Sequence, residues 1–315
     1  MGTVYDLKQN GTFFQPEVYT FDEILEREDN VICDLSITSA EGPSWFEESI
    51  YPVNRFSELD PVPTLNQIEL TKVFLDVLGH PNTVVSEGIP LKILAAVNLI
   101  SDKIGYLSGR EAYRRKTSNK RVPKVPRGVD EERVEKSVLK EACNVFYDSY
   151  VQARRVRFSP RQKRAYGFLE EVVLSVTEHT QAKIDFGMRY KSGGETNGFN
   201  DSHTDEQLVT IAMYLSAFEN KHSGILTRDS DIGRILVNTL SFLSYQSCQW
   251  YKEILSSVKR NEIKVYYMTG LGVAKVAERS SDFNGQRRGK ISPETLKRVT
   301  SGIMQRSTSS QPIRA

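Results

Sequence analysis

Short β-branched runs alternate along this chain with longer stretches of helical period, and that alternation restricts the fold more than any other feature. The runs are "NVIC" (Asn30–Cys33), "TVVS" (Thr83–Ser86), "GILT" (Gly224–Thr227) and "NEIKVYYM" (Asn261–Met268). Period alone cannot separate so short a run from a buried helix segment; β-branched content and neighbouring turn residues favour strands. Between the runs, Pro90 stands where the first turn of a helix through Leu94, Val97 and Ile104 would begin. From Val129 to about Tyr190 the pattern is helical, with Val134, Val138, Ala142 and Val145 at spacings of three and four. "TDEQLVTIAMYLSAF" opens on the S/T-x-x-E/Q pattern of a capping box, Thr204 and Gln207. It carries one apolar stripe through Leu208, Ile211, Ala212, Leu215 and Phe218. A further helix is predicted through Ile235 to Leu243. Strands alternating with helices predict an α/β fold with a mainly parallel central sheet, in three α/β/α layers.

Residues 1–29 read as an N-terminal arm in which Thr20 or Asp22 starts a helical turn. Residues 30–277 read as the α/β domain, and 278–315 as a flexible tail rich in Ser and Arg. A hydrophobic content of 39% is enough for a substantial core. With no run of about 18 apolar residues and no leader pattern, neither a membrane span nor secretion is expected. Cys33, Cys143 and Cys248 lie too far apart for a metal motif or a disulfide framework, which predicts a reducing, cytoplasmic setting.

The formal charge of +2 conceals a local excess. Arg110, Arg114, Arg115, Lys116, Lys120, Arg121, Lys124 and Arg127 are interrupted by Glu111 alone. A second cluster, Arg154, Arg155, Arg157, Arg161, Lys163 and Arg164, adjoins Phe158 and Tyr166. Such clusters are either solvated faces or a nucleic-acid footprint. Both fall within a helical insertion at about 107–190.

Acidic residues recur where the predicted strands end. Asp34 ends the first, Glu87 follows "TVVS", Asp205 opens the helix before "GILT", and Asp229 and Asp231 follow that strand. Taken singly, each is a turn residue or a helix cap. In an open α/β sheet, however, the working site lies beyond the carboxyl ends of the strands. Carboxylates meeting there would raise one another's pKa unless a cation neutralised them, and such hard oxygen ligands select Mg²⁺ or Mn²⁺.

The ordered set resembles the PIN-domain ribonuclease family. "VICDLSITS" looks like that family's opening strand, an Asp followed two residues later by a small hydroxyl residue, here Ser36. "TDEQLVTIAMYLS" is similar to its third acidic motif, an Asp starting an Ala-containing amphipathic helix. "ILTRDSD" resembles its closing motif, an apolar strand running into T-x-D-x-D. The likeness covers roughly residues 30–106 and 200–270. It departs from the pattern where the second acid would stand, since the chain has Leu91 and Lys92 there; Glu87 stands slightly early, and Glu69 is its rival. The long stretch between Gly105 and Thr204 is the second departure.

The resemblance implies metal-dependent hydrolysis of phosphodiester bonds, usually in RNA. Asp34, Asp205 and Asp229 would be metal ligands and Asp231 a further one. Glu87 would complete the catalytic acids, while Ser36 and Thr227 would orient a carboxylate or hold a water. Arg114, Arg115, Lys116, Lys120, Arg121, Lys124, Arg154, Arg155 and Arg157 would neutralise RNA phosphates. Phe158 or Tyr166 would stack on an unpaired base. RNA, single-stranded for preference, is the expected partner, with a protein partner or inhibitor as a second. Two rivals remain. "DLSIT" resembles the D-x-D-x-T opening of haloacid dehalogenase-type phosphatases, but Ser36 occupies the second Asp position. The other is a catalytically decayed member of the fold, holding RNA or protein through its basic insertion.

Overall fold

The strand-like runs meet in one sheet. In the computed structural model, which describes residues 17–38, 76–86, 88–118, 129–156, 158–180, 204–270, 272–284 and 291–309, six strands take the order β1-β6-β5-β4-β2-β3. They are β1 (Val18–Thr20), β2 (Asn30–Cys33), β3 (Thr83–Val84), β4 (Ser223–Thr227), β5 (Ile263–Gly270) and β6 (Val273–Arg279). β3, β2, β4 and β5 are mutually parallel, with Cys33 opposite Leu226 and Leu226 opposite Tyr266. β6 and β1 are antiparallel additions beyond β5. The sheet is therefore mixed, not simply parallel. The cause is local: β5 turns straight back into β6 through Gly272, at φ +69°, whereas a parallel partner would need a crossover of a dozen or more residues. Every residue of β2 and β4 is buried, so both faces of that central pair are covered, as parallel strands require.

The helices are α1 (Phe21–Arg27), α2 (Gly88–Ser118), α3 (Val129–Gln152), α4 (Pro160–Thr180), α5 (Thr204–Phe218), α6 (Ser230–Tyr245), α7 (Gln249–Arg260) and α8 (Pro293–Ser309). α5 is apolar nearly all round and is correspondingly enclosed, packing on β2, β4 and β5 and against α4, α6 and α7. Its Leu208, Val209, Ile211 and Leu215 are all at least 95% buried, each contributing about 1.5–3 kcal/mol. α2 and α3 pack on each other as a hairpin, and α4 joins α5, α6 and α8. Among the described residues no helix is long and apolar enough to cross a membrane.

Two boundaries differ from the sequence expectation. The N-terminal arm belongs to the sheet from Val18 onward, and α1 behind it has a complete capping box between Thr20 and Glu23. Glu28, buried just after α1, accepts from Lys264 Nζ at 2.8 Å and Tyr266 Oη at 2.6 Å. Gly224 passes beneath that contact; a Cβ there would stand 2.9 Å from the Tyr266 ring. At the other end, the expected flexible tail contains α8, whose Val299 and Ile303 are buried. Ser175 Oγ of α4 donates to the Val299 carbonyl at 2.9 Å, fixing α8 in place.

Candidate functional site

Parallel pairing decides which residues meet beyond the sheet. Because Cys33 and Leu226 are opposite each other, the next residues, Asp34 and Thr227, emerge side by side. Asp34 N continues the ladder to the Leu226 carbonyl at 3.0 Å. A single 3-10 turn, Leu35–Thr38, then folds Ser36 back. Asp34 Oδ2 accepts from Ser36 Oγ at 2.5 Å and from Thr227 Oγ1 at 2.8 Å. Both hydroxyls are aimed by backbone donors: Arg228 N to Ser36 Oγ at 2.9 Å, and Asp229 N to Thr227 Oγ1 at 2.8 Å. Thr227 is fully buried and Asp34 is 6% exposed.

The helices deliver two further carboxylates to this edge. α5 leads through a short connection into β4, so it runs against the strand direction and starts at the edge where the strands end; Asp205 lies in its first turn. α6 begins directly after β4, with Asp229 as its N-cap, and Asp229 Oδ1 accepts from Asp231 N at 2.8 Å. Burial, then repulsion by Asp205, then a weaker repulsion by Asp229 push the Asp34 carboxyl up from 3.8 to about 6. The Ser36 and Thr227 hydroxyls oppose that shift by favouring the anion. Acids far apart in the chain thus share one electrostatic neighbourhood. Two oxygens buried near the same edge, Ser86 Oγ after β3 and Gln207 Oε1 in the first turns of α5, have no hydrogen-bond partner among the described residues. Gln207 was expected to complete a capping box and does not use that oxygen so.

Not every candidate joins the group. Asp231 turns to Arg234, its ion-pair partner on α6, and is not shared with Asp34. Glu87, its rival Glu69, and Lys120, Arg121, Lys124 and Arg157 lie outside the described residues. Arg114, Arg115 and Lys116 occupy the last turns of α2. Arg154 and Arg155 are exposed in the break between α3 and α4, which divides the expected continuous helical stretch. Phe158 and Tyr166 are partly buried and pack together: their rings lie 4.6 Å apart, and Phe158 lies 5.0 Å from Tyr214 of α5. Among the described residues no group of three His, Cys, Asp or Glu side chains is gathered as a metal-holding cluster. The cap at Asp229 and the ion pair at Asp231 account for part of that dispersal.

Sequence reasoning missed Ser86, because a serine after a strand carries no signal of burial. It also missed a cavity of about 680 Å³ beside Arg154 and Arg155. No protein-family model, no curated protein and no solved structure matches this chain.

Proposed function

We propose that the chain is a PIN-like, metal-dependent nuclease that hydrolyses phosphodiester bonds, most naturally in RNA, at the edge formed by Asp34, Asp205 and Asp229. The observation that carries the reading is geometric. Buried Asp34, held by Ser36 and Thr227 at the end of β2, meets the edge where α5 brings Asp205 in its first turn and α6 is capped by Asp229. Its carboxyl is pushed up by burial first and by those acids second. A fold gains nothing from crowding anions unless something relieves them. Both hydroxyl bonds to Asp34 fall on Oδ2, and neither uses Oδ1. The donor set of carboxylate, hydroxyl and amide oxygens is hard, and so fits Mg²⁺ or Mn²⁺.

A divalent ion bound there would supply Lewis acidity toward a phosphoryl oxygen and a lowered pKa for an attacking water. The chain's own part is positional. Ser36 and Thr227 fix the Asp34 rotamer, and Asp229 fixes the start of α6, so the carboxylates are set before substrate arrives. Arg114, Arg115 and Lys116 would hold backbone phosphates of the same strand.

The Asp229 cap and the Asp231–Arg234 pair favour a second reading, a member of the fold that binds RNA or a partner protein without cutting it. One experiment separates the two. Single-stranded RNA is incubated with Mn²⁺ or Mg²⁺ and the wild type, Asp34→Asn or Asp205→Asn. Cleavage by the wild type alone supports the nuclease. Equal cleavage by all three would refute it, and binding without cleavage selects the second reading.

A further inference from the structure

A second site lies against β3, at the edge of the sheet. The cavity of about 680 Å³ is lined by Asn30, the first residue of β2, and by Leu215 and Glu219 at the end of α5. Asn30 is four residues from Asp34, or about 13 Å along a strand. Leu215 is ten residues from Asp205, or about 15 Å along a helix. Arg155, by contrast, bridges to Val85, one residue before Ser86, so the cavity extends from the start of β2 toward the carboxylate edge, although none of Asp34, Asp205 and Asp229 lines it. Its size is that of a small-ligand pocket.

Its chemistry is divided. Arg154 and Arg155 stand at it, both exposed, and neither pairs with a carboxylate among the described residues. Each is nevertheless held in position. Arg154 donates through Nη1 to the Pro81 carbonyl, and the Arg155 guanidinium lies 5.3 Å from the Tyr150 ring centroid. A guanidinium has five N–H donors, so one bond to Pro81 leaves most of the Arg154 fork for an anion. Val84 and Leu215 add apolar wall, and the Tyr150 ring lies beside them with Arg155 over one of its faces. Glu219, from a different element, adds an acceptor. Oriented cations, a flat apolar surface and a separate carboxylate together select a molecule with a phosphate, a planar body and hydrogen-bond donors away from the phosphate. We propose that this cavity binds a nucleoside monophosphate unit, with its phosphate on Arg154 and Arg155 and a hydroxyl or amino group on Glu219. The site does not depend on the nuclease reading.

Calorimetric titration of the full chain with adenosine 5′-monophosphate, in chelator, tests it. One equivalent is expected to bind. Adenosine and Arg154→Met/Arg155→Met should each bind about tenfold more weakly or worse, the loss expected for charge-assisted bonds to a phosphate. Asp34→Asn should bind as the wild type does, which separates this site from the carboxylate edge. Unchanged melting of the double variant shows that it folds, as surface substitutions ordinarily do. A 5′-phosphorylated oligonucleotide that displaces the nucleotide assigns the site to a strand end, and failure to displace it assigns the site to a free nucleotide; both support the cavity. Absence of binding at millimolar nucleotide, or equal binding by the double variant, overturns it.

Discussion

Asp34 is the residue on which the site's energetics turn. Its folded pKa of about 6 lies above the ordinary 3.8, so the folded state holds this proton more tightly than the unfolded chain. The sign follows: stability from this group is present below pH 3.8 and is lost as pH rises to about 6, to an extent of about 3 kcal/mol. Asn at this position accepts from Ser36 and Thr227 without the charge. Asp34→Asn in chelator at pH 7.5 should therefore melt roughly 5 °C higher than the wild type, with the gain vanishing toward pH 4. A variant that melts lower at both pH values would show that burial and repulsion together do not destabilise the anion enough to matter. Asp229 has two roles that substitution can part. Asn caps a helix as well as Asp, whereas Ala costs about 1 kcal/mol. Asp229→Asn should keep wild-type stability and lose RNA cleavage; Asp229→Ala should lose both. Cleavage by Asp229→Asn would leave the residue as a cap only. The sequence made Asp34, Asp205 and Asp229 legible because parallel strands and their return helices all present one end to the same edge. It could not show that Asp231 turns to Arg234, since a side chain's choice between two neighbours three residues either way is set by rotamer and packing.

Among the elements, those with an enclosed apolar stripe were the readable ones. β2, β4 and α5 announce themselves because burial on nearly all sides leaves little polar ambiguity, and β5 and α6 through one continuous buried face. β1 is only three residues long and largely exposed, and β6 is half-exposed and charged, so their strand character comes from their partners in the sheet. α7 and α8 carry fainter signals: Ile254 and Val258 one turn apart, and a Ser292 cap that accepts from Thr295 N at 3.1 Å ahead of Pro293. α8 also carries a test of its docking. A Cβ at Gly302 would stand 2.4 Å from Ser175 Oγ, the hydroxyl bonded to the Val299 carbonyl. Ala gains up to about 1 kcal/mol of helix propensity over Gly, but overpacking costs about 1–3 kcal/mol. The clash should win, and Gly302→Ala should lower the unfolding midpoint in urea. Removing the obstruction with Ser175→Ala should reverse the loss in the double variant. Additive losses in that cycle would mean that the two helices do not meet at this point.

At the scale of the whole molecule, the basic end of α2 and the carboxylate edge are held far apart by one long helix. α2 begins at Gly88, close to the strand ends, and its 31 residues extend about 46 Å. Arg114 is twenty-six residues along, or about 39 Å from that start. At about 3.4 Å per stacked nucleotide, one RNA strand must be on the order of ten nucleotides long to touch both the carboxylate edge and the basic end of α2. Length should therefore decide whether those bases matter. For a strand of about twenty nucleotides, neutralising Arg114, Arg115 and Lys116 should weaken binding and reduce the slope of log affinity against log salt by about 2, at about 0.7 per phosphate contact. For a strand of about five nucleotides the same variant should bind like the wild type. Equal salt slopes for variant and wild type on the long strand would detach α2 from RNA binding. An equal loss on both strands would mean that the basic end folds back to the site, contrary to a continuous α2.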